Sequence, residues 1–291
     1  MQIAYHLGAH CTDEDRLVRS LLKNRGVLAP QGIVVPAPRL YRQLLPRIVQ
    51  SLDDGPAGRE TQKVILDAVA EGERPERLVF SHDFLIGYPR AAISAEGFYR
   101  NIGSRVTAFT NLFPEAEAEF LLALRNPATL IPALVQRVPD ASYASLMEGV
   151  EPFNLRWAPV IERMLEALPD IDLTVWCNED TPLIWPELLR TLAGLGFDAE
   201  MEGDFDLLAT IMSETGMSRL KTFLETHPPR SIAQRRRIVS AFLDKFALAD
   251  EVEMEVPMPG WTDDLVAGLT ERYAADIADI AALPGIDLIL P

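Results

Sequence analysis

Three places in the chain carry residues whose types and spacing could do chemistry. The first is the run His6-Leu7-Gly8-Ala9-His10-Cys11-Thr12-Asp13-Glu14-Asp15, which follows a short apolar segment and leads into an apolar pattern of helical period. A turn from strand to helix is a natural anion site, because unpaired backbone N–H groups point outward there and the helix dipole is positive. The second is Ser81-His82-Asp83, just past another apolar segment. His82 has the ordinary pKa of a general base near neutrality, with Asp83 beside it, so this pair is the catalytic candidate. The third is the basic cluster Arg230, Arg235, Arg236 and Arg237, with a smaller group at Arg39, Arg42 and Arg47. The planar guanidinium fork suits phosphate, but in so acidic a chain both groups read as solvated helix faces.

His6, His10 and Cys11 also raise a metal or thiol reading. A helix start lowers a cysteine pKa, but three neighbouring acids raise it again. His6 and His10 are separated by a strand-to-turn segment rather than one helical turn, so the zinc-helix spacing does not apply. No metal is expected; a packed or hydrogen-bonded histidine pair is.

The elements that must position these residues follow from periodicity. Ile3–Leu7 reads as a buried strand, 13–24 as a helix with Thr12 as its cap, and 32–36 as a second strand: a βαβ unit whose natural product is a parallel sheet. Thr12 followed by Asp15 has capping-box spacing, and Gly26 lies where the helix would end. Further helices are predicted over 40–50 and 59–71, with Asp53-Asp54-Gly55-Pro56 as a turn between them. Strands follow at 77–81, 119–124 and 172–177, and helices at 97–113, 127–138, 155–168 and 185–195, the last ended by Gly196. From 196 onward the pattern is mainly helical (205–212, 218–225, 231–246 and 262–282), with 196–206 an exposed acidic connection. No repeat or linker interrupts the 291 residues. One domain is expected, with an α/β core over 1–195 and a mainly helical part over 196–291.

Composition narrows the class. Apolar residues make up 48%, charged residues 24%, and the net charge is −16. That is ordinary globular composition and excludes disordered and low-complexity classes. The acidic balance argues against nonspecific nucleic-acid or anionic-membrane binding. Two cysteines make no disulfide framework. There is no signal-peptide pattern and no apolar stretch of membrane-spanning length, so a cytoplasmic location is expected. No G-x-x-x-x-G-K-[ST] occurs, which leaves a nucleotide kinase or NTPase poorly supported.

The stretch from Tyr5 to Thr12, then Leu17–Leu22, Asn24-Arg25 and Gly32-Ile33-Val34-Val35-Pro36, resembles the start of bacterial sulfotransferase-family proteins. These open with roughly His-Ile-Gly-x-His-Lys-Thr-Gly-Thr-Thr after a strand. The resemblance continues over Glu119–Val138, with Leu124-Arg125 and Gln136-Arg137, and over Trp261–Ala282, with Leu269, Arg272-Tyr273 and Asp276. It is weak over about 37–115 and 197–255. It implies a P-loop-like three-layer α/β/α fold with a mostly parallel sheet. It also implies 3′-phosphoadenosine 5′-phosphosulfate (PAPS) as the donor, held by Gly8, Ala9, His10, Cys11, Thr12 and Arg125. Sulfonate would pass to a hydroxyl-bearing small molecule or carbohydrate, with His82 or Asp83 as base.

The departures carry the functional expectation. The family lysine that contacts the sulfonate is Cys11 here, its Gly-Thr-Thr is Asp13-Glu14-Asp15, and the serine eight residues after Arg125 is Ala133. A carboxylate about 4 Å from a phosphate costs ~4 kcal/mol at an effective dielectric near 20. A lost lysine contact removes roughly 1.5–3 kcal/mol, while the helix dipole returns only about 0.3–1 kcal/mol. The sequence therefore reads as a sulfotransferase-like protein with impaired or lost PAPS-dependent transfer. The alternatives are a non-catalytic binding or structural protein on that scaffold, or an active sulfotransferase with an altered donor loop. Asp13, Glu14 and Asp15 otherwise read as helix-start stabilisers. The acceptor and the oligomeric state are not legible.

Overall fold

The computed structural model describes all residues except 53–54, 71, 73 and 253–256. The turn expected at Asp53-Asp54 and the helix end expected at Glu71 lie outside the described residues.

Six strands form one parallel sheet: β1 (Gln2–Gly8), β2 (Ile33–Val34), β3 (Arg77–Ser81), β4 (Glu117–Leu124), β5 (Asp172–Cys177) and β6 (Asp287–Ile289), in the order β2-β3-β1-β4-β5-β6. Helices of eight residues or more are α1 (Arg16–Lys23), α2 (Leu44–Ser51), α3 (Arg59–Val69), α4 (Ile102–Thr110), α5 (Pro127–Arg137), α6 (Ala158–Ala167), α7 (Thr181–Ala193), α8 (Glu214–Thr226), α9 (Ile232–Phe246) and α10 (Asp263–Ala281).

Successive side chains of a strand point to opposite faces, and here both faces are buried. Ile3, Tyr5, Leu7, Phe80, Phe120, Leu122 and Val175 pack in one core with α3, α4, α5 and α6. Ala4, Val79, Leu121, Ala123 and Trp176 pack in a second core with α1 and α7. Helices therefore cover both sides of a parallel sheet, and the fold is the three-layer α/β/α arrangement. Continuous apolar runs, rather than alternation, are the signature of strands buried on both faces.

The strands at 77–81 and 172–177 fall where periodicity places them; several other boundaries move. Helix α1 begins at Arg16 rather than Asp13. Its N-cap position is Asp15, in a left-handed conformation, so the Thr12 cap and its capping box do not form. Asn24 closes α1, and Gly26 lies inside a further helical turn, Arg25–Leu28. The segment 40–50 divides at Gln43 into a turn (Pro38–Tyr41) and α2. The helix expected from Gly97 starts at Ile102; a two-stranded hairpin, Ile93–Ser94 with Gly97–Phe98, occupies its place. Helix α7 starts at Thr181 and ends at Gly194, which takes the left-handed φ of 69° that a helix stop needs, not at Gly196.

The C-terminal part is not only helical. Strand β6 joins the sheet edge beside β5. Helix α10 docks on the α6 face through buried Asp276, which accepts from the Trp157 and Ala158 amides and pairs with Arg156. The acidic stretch 196–206 is anchored rather than loose. Asp204 pairs with Arg190 at 2.7 Å, Asp206 with Lys23 at 2.7 Å, and the buried Asn24 side chain bonds the Glu202 backbone in both directions. Helices α8 and α9 enclose a small core of their own around Leu208, Met217, Leu220 and Val239.

Candidate functional site

In open α/β sheets, ligands sit at the carboxyl ends of the strands where the strand order reverses. Here that point is the end of β1, flanked by β3 and β4. His6 lies opposite Ser81 in register, and Gly8 opposite Leu122 after a register shift. The turn 8–15, the segment Ser81-His82-Asp83 and Arg125 are thereby brought together. Gly8 has φ of 80°, and a Cβ there would meet the Asp83 Cβ at 3.1 Å, so the close approach of the two turns requires glycine.

The start of the turn is tied to the elements around it. The Ala9 amide donates to the Ala123 carbonyl at 3.1 Å, and the His10 amide to the Tyr99 hydroxyl at 3.3 Å. Thr12 Oγ1 donates to the Ala9 carbonyl at 2.7 Å. Cys11 has φ of 59°, and its carbonyl accepts from Arg125 Nη1. Arg125 is itself buried and spends Nε on Thr129 Oγ1 at 3.0 Å. The amides of Cys11, Thr12, Asp13 and Glu14 make no hydrogen bond among the described residues.

His10 is fully buried. Its Nε2 faces the Gly87 carbonyl at 3.2 Å, which can only accept, so Nε2 carries the hydrogen and Nδ1 accepts from the Tyr99 hydroxyl at 3.0 Å. Burial, and then Arg137, pushes the imidazole down to about 3. The histidine is a neutral structural pin. Cys11 is half-buried, and burial pushes its thiol up, away from thiolate chemistry.

The catalytic candidates are also employed. His82 Nδ1 accepts from the Phe84 amide at 3.0 Å, which leaves the ring hydrogen on Nε2. A ring held this way donates at its free nitrogen. Asp83 Oδ2 is paired with Arg137 Nη2 at 2.5 Å. Burial pushes the Asp83 carboxyl up, and Arg137 pulls it back.

The acids of the turn do not all face solvent. Asp13 Oδ2 accepts from the Leu17 amide at 3.1 Å and so caps α1, whereas Glu14 is exposed beside Arg16 at 3.5 Å. Burial pushes the His6 imidazole down and the Tyr41 phenol up; on both groups the Asp13 and Asp15 carboxylates act as well, raising the pKa. His6 stacks on Trp176 with centroids 5.6 Å apart and bonds Ser81 Oγ through Nδ1 at 2.8 Å. The two histidines of the turn are thus packed and hydrogen-bonded. Among the described residues no group of three or more His, Cys, Asp or Glu could hold one.

Sequence reasoning missed Tyr99, whose hydroxyl holds the turn, because the hairpin before it has no strand-length pattern. It gave Arg137 no local role; its partner Asp83 is 54 residues away.

No family model matches the chain, and no curated protein matches it. Among solved structures, a sulfotransferase from Alicyclobacillus acidocaldarius is similar at 14% identity with a TM-score of 0.44, covering 83% of this chain and 98% of that one. Similarity at that level carries no argument about activity. No helix among the described residues is long and apolar enough to cross a membrane.

Proposed function

We propose that this is a sulfotransferase-like scaffold whose donor turn no longer receives a phosphosulfate nucleotide, so that it serves as a binding protein and not as a transferase. The observation that carries the reading is the commitment of the turn's cation and of its first two amides. The cation that would meet a donor phosphate, Arg125, is committed to the Cys11 carbonyl and Thr129, and two turn amides are committed to Ala123 and Tyr99. A buried hydrogen bond must be broken before its donor can serve a ligand, at a cost of about 0.5–1.5 kcal/mol net for a neutral pair and 1.5–3 for a charged one. PAPS therefore does not fit the residues present: the lysine position is Cys11, and the Asp13 and Asp15 carboxylates stand at the turn.

The same logic removes the acid–base step. With Nδ1 of His82 accepting from Phe84 and Asp83 held by Arg137, neither group is arranged to take a proton from an acceptor hydroxyl.

The test is calorimetric titration with 3′-phosphoadenosine 5′-phosphate, the part of the donor that survives transfer. The expected result is no saturable heat up to about 1 mM ligand. A dissociation constant in the low micromolar range that Arg125→Ala abolishes would restore the transferase reading. We assign the chain to one domain, within which α8 and α9 extend the α/β core.

A further inference from the structure

A cleft of about 730 Å³ lies between α2, α4 and the segment that follows β3. It is distinct from the β1 turn, although Gly87, which accepts from His10, lies close to Arg105 on its wall. Its size is that of a small-molecule site, typically about 300–1,000 Å³. Three arginines line it (Arg42, Arg47 and Arg105), and no acidic residue does among the described residues. Asp53 and Asp54, which adjoin the lining residues Leu52 and Gly55 in sequence, lie outside the described residues.

Three arginines around one concavity, with no carboxylate among the described lining residues, give it a positive lining. The net charge is −16, and several arginines elsewhere pair with carboxylates: Arg77 with Glu119, Arg137 with Asp83, Arg156 with Asp276, Arg190 with Asp204, Arg236 with Glu187. The Arg42 and Arg47 side chains make no hydrogen bond or ion pair with described residues, and Arg105 has only the Leu85 carbonyl at 3.4 Å. Like charges around one concavity repel, and low-dielectric walls focus their field onto whatever enters. Beside them stand Phe84 and Tyr88, with ring centroids 6.0 Å apart, and Tyr88 is 58% exposed. Arginine forks match the oxygens of a phosphate or sulfate ester, and an exposed aromatic face suits the flat face of a ring.

We propose that this cleft binds a small organic anion, a phosphate or sulfate ester on a hydroxylated ring, with the ester oxygens on Arg42, Arg47 and Arg105 and the ring against Phe84 and Tyr88. The proposal goes beyond the reading of the β1 turn and stands without it, since no nucleotide enters the test.

The experiment is calorimetry on the full chain at low salt with glucose 6-sulfate and glucose 6-phosphate. Saturable binding is expected, and the tighter of the two identifies the ester. The double variant Arg42→Glu/Arg47→Glu should weaken it by roughly tenfold or more, as reversed charge does where charge complementarity sets affinity. Arg39→Glu, an exposed change of equal charge outside the cleft, should leave binding unaltered. Both variants should keep the thermal midpoint of the parent chain, which separates lost binding from lost folding. Tyr88→Ala should weaken binding less than the charge reversal does. Absence of saturable heat with either sugar at about 10 mM, binding by the double variant equal to the parent's, or equal losses in Arg39→Glu and the double variant would each overturn the proposal.

Discussion

The β1 turn and the Arg42/Arg47/Arg105 cleft lie side by side, and both bring arginine to a concave surface. They differ in what those arginines are doing. At the turn, Arg125 holds Cys11 and Thr129, and Arg137 holds Asp83. In the cleft, Arg42 and Arg47 hold nothing among the described residues. A residue type shared with a ligand site is therefore weak evidence of one. Whether the arginine side chain is already committed is better evidence, because a spent donor must first be released and leaves a buried acceptor behind.

The largest expected effect tests how completely the turn is locked. His10 is buried as the neutral ring, its pKa pushed by burial and then by Arg137 from 6.5 to about 3. The unfolded chain takes up this proton near 6.5, the folded chain only near 3. Stability is thus fully present above 6.5 and is lost as pH falls through that window. The slope is about 1.4 kcal/mol per pH unit for each such proton. His6, also pushed down by burial, adds in the same direction, while the raised carboxyl of Asp83 opposes it. Urea unfolding at pH 7 and pH 5 should show the loss, and His10→Gln should flatten the slope by about one proton. A nuclear magnetic resonance titration of His10 gives an independent reading. Titration of its ring near 6.5 would mean that the ring is solvated and that the His10 anchor of the turn is undone.

Arg125→Ala comes next. It removes two donors from inside the turn and leaves the carbonyl of left-handed Cys11 unsupported. Loss of charge-assisted bonds to a buried acceptor is worth about 2–3 kcal/mol, read as a drop in the urea midpoint. Arg125→Lys should recover only part of this, because an ammonium cannot span both acceptors as the guanidinium fork does. Full stability in the alanine variant would mean that Arg125 is free for a phosphate, and the distinction between turn and cleft would fail.

What the sequence made legible divides along the same line. Strands buried on both faces announce themselves by composition, which is why 77–81 and 172–177 fall where they are read. Helices α9 and α10 begin where Ser231 and Thr262 supply a side-chain cap. The meeting of the turn with Ser81-His82-Asp83 and Arg125 follows from the parallel order of the strands. The state of that meeting point does not. The groups that close the turn are Tyr99, Ala123 and Arg125, each about 90 residues or more from the group it bonds, and no local pattern records such a contact. Turn 13–15 fails for a related reason. Acids suit a first helical turn, but Glu14 and Asp15 are drawn into left-handed geometry while Asp13 caps α1 from outside it. Arg42 and Arg47 fail differently. As a sequence they look like any solvated helix face; only the wall opposite, built from Arg105, Phe84 and Tyr88, makes them a cleft.

The smallest expected effect is the most discriminating. Arg47→Gln in the absence of any ligand should change the unfolding free energy by no more than about 0.5 kcal/mol, the usual range for a surface substitution away from special features. The side chain is exposed and bonds no described residue, so its removal strands no buried acceptor. What it does remove is repulsion from Arg42 and Arg105, so any shift should be toward higher stability and should shrink as salt screens the three charges. A cost of more than about 1 kcal/mol would mean that Arg47 has a structural partner. The cleft would then be as fully committed as the turn beside it, with no cation left over for an anion.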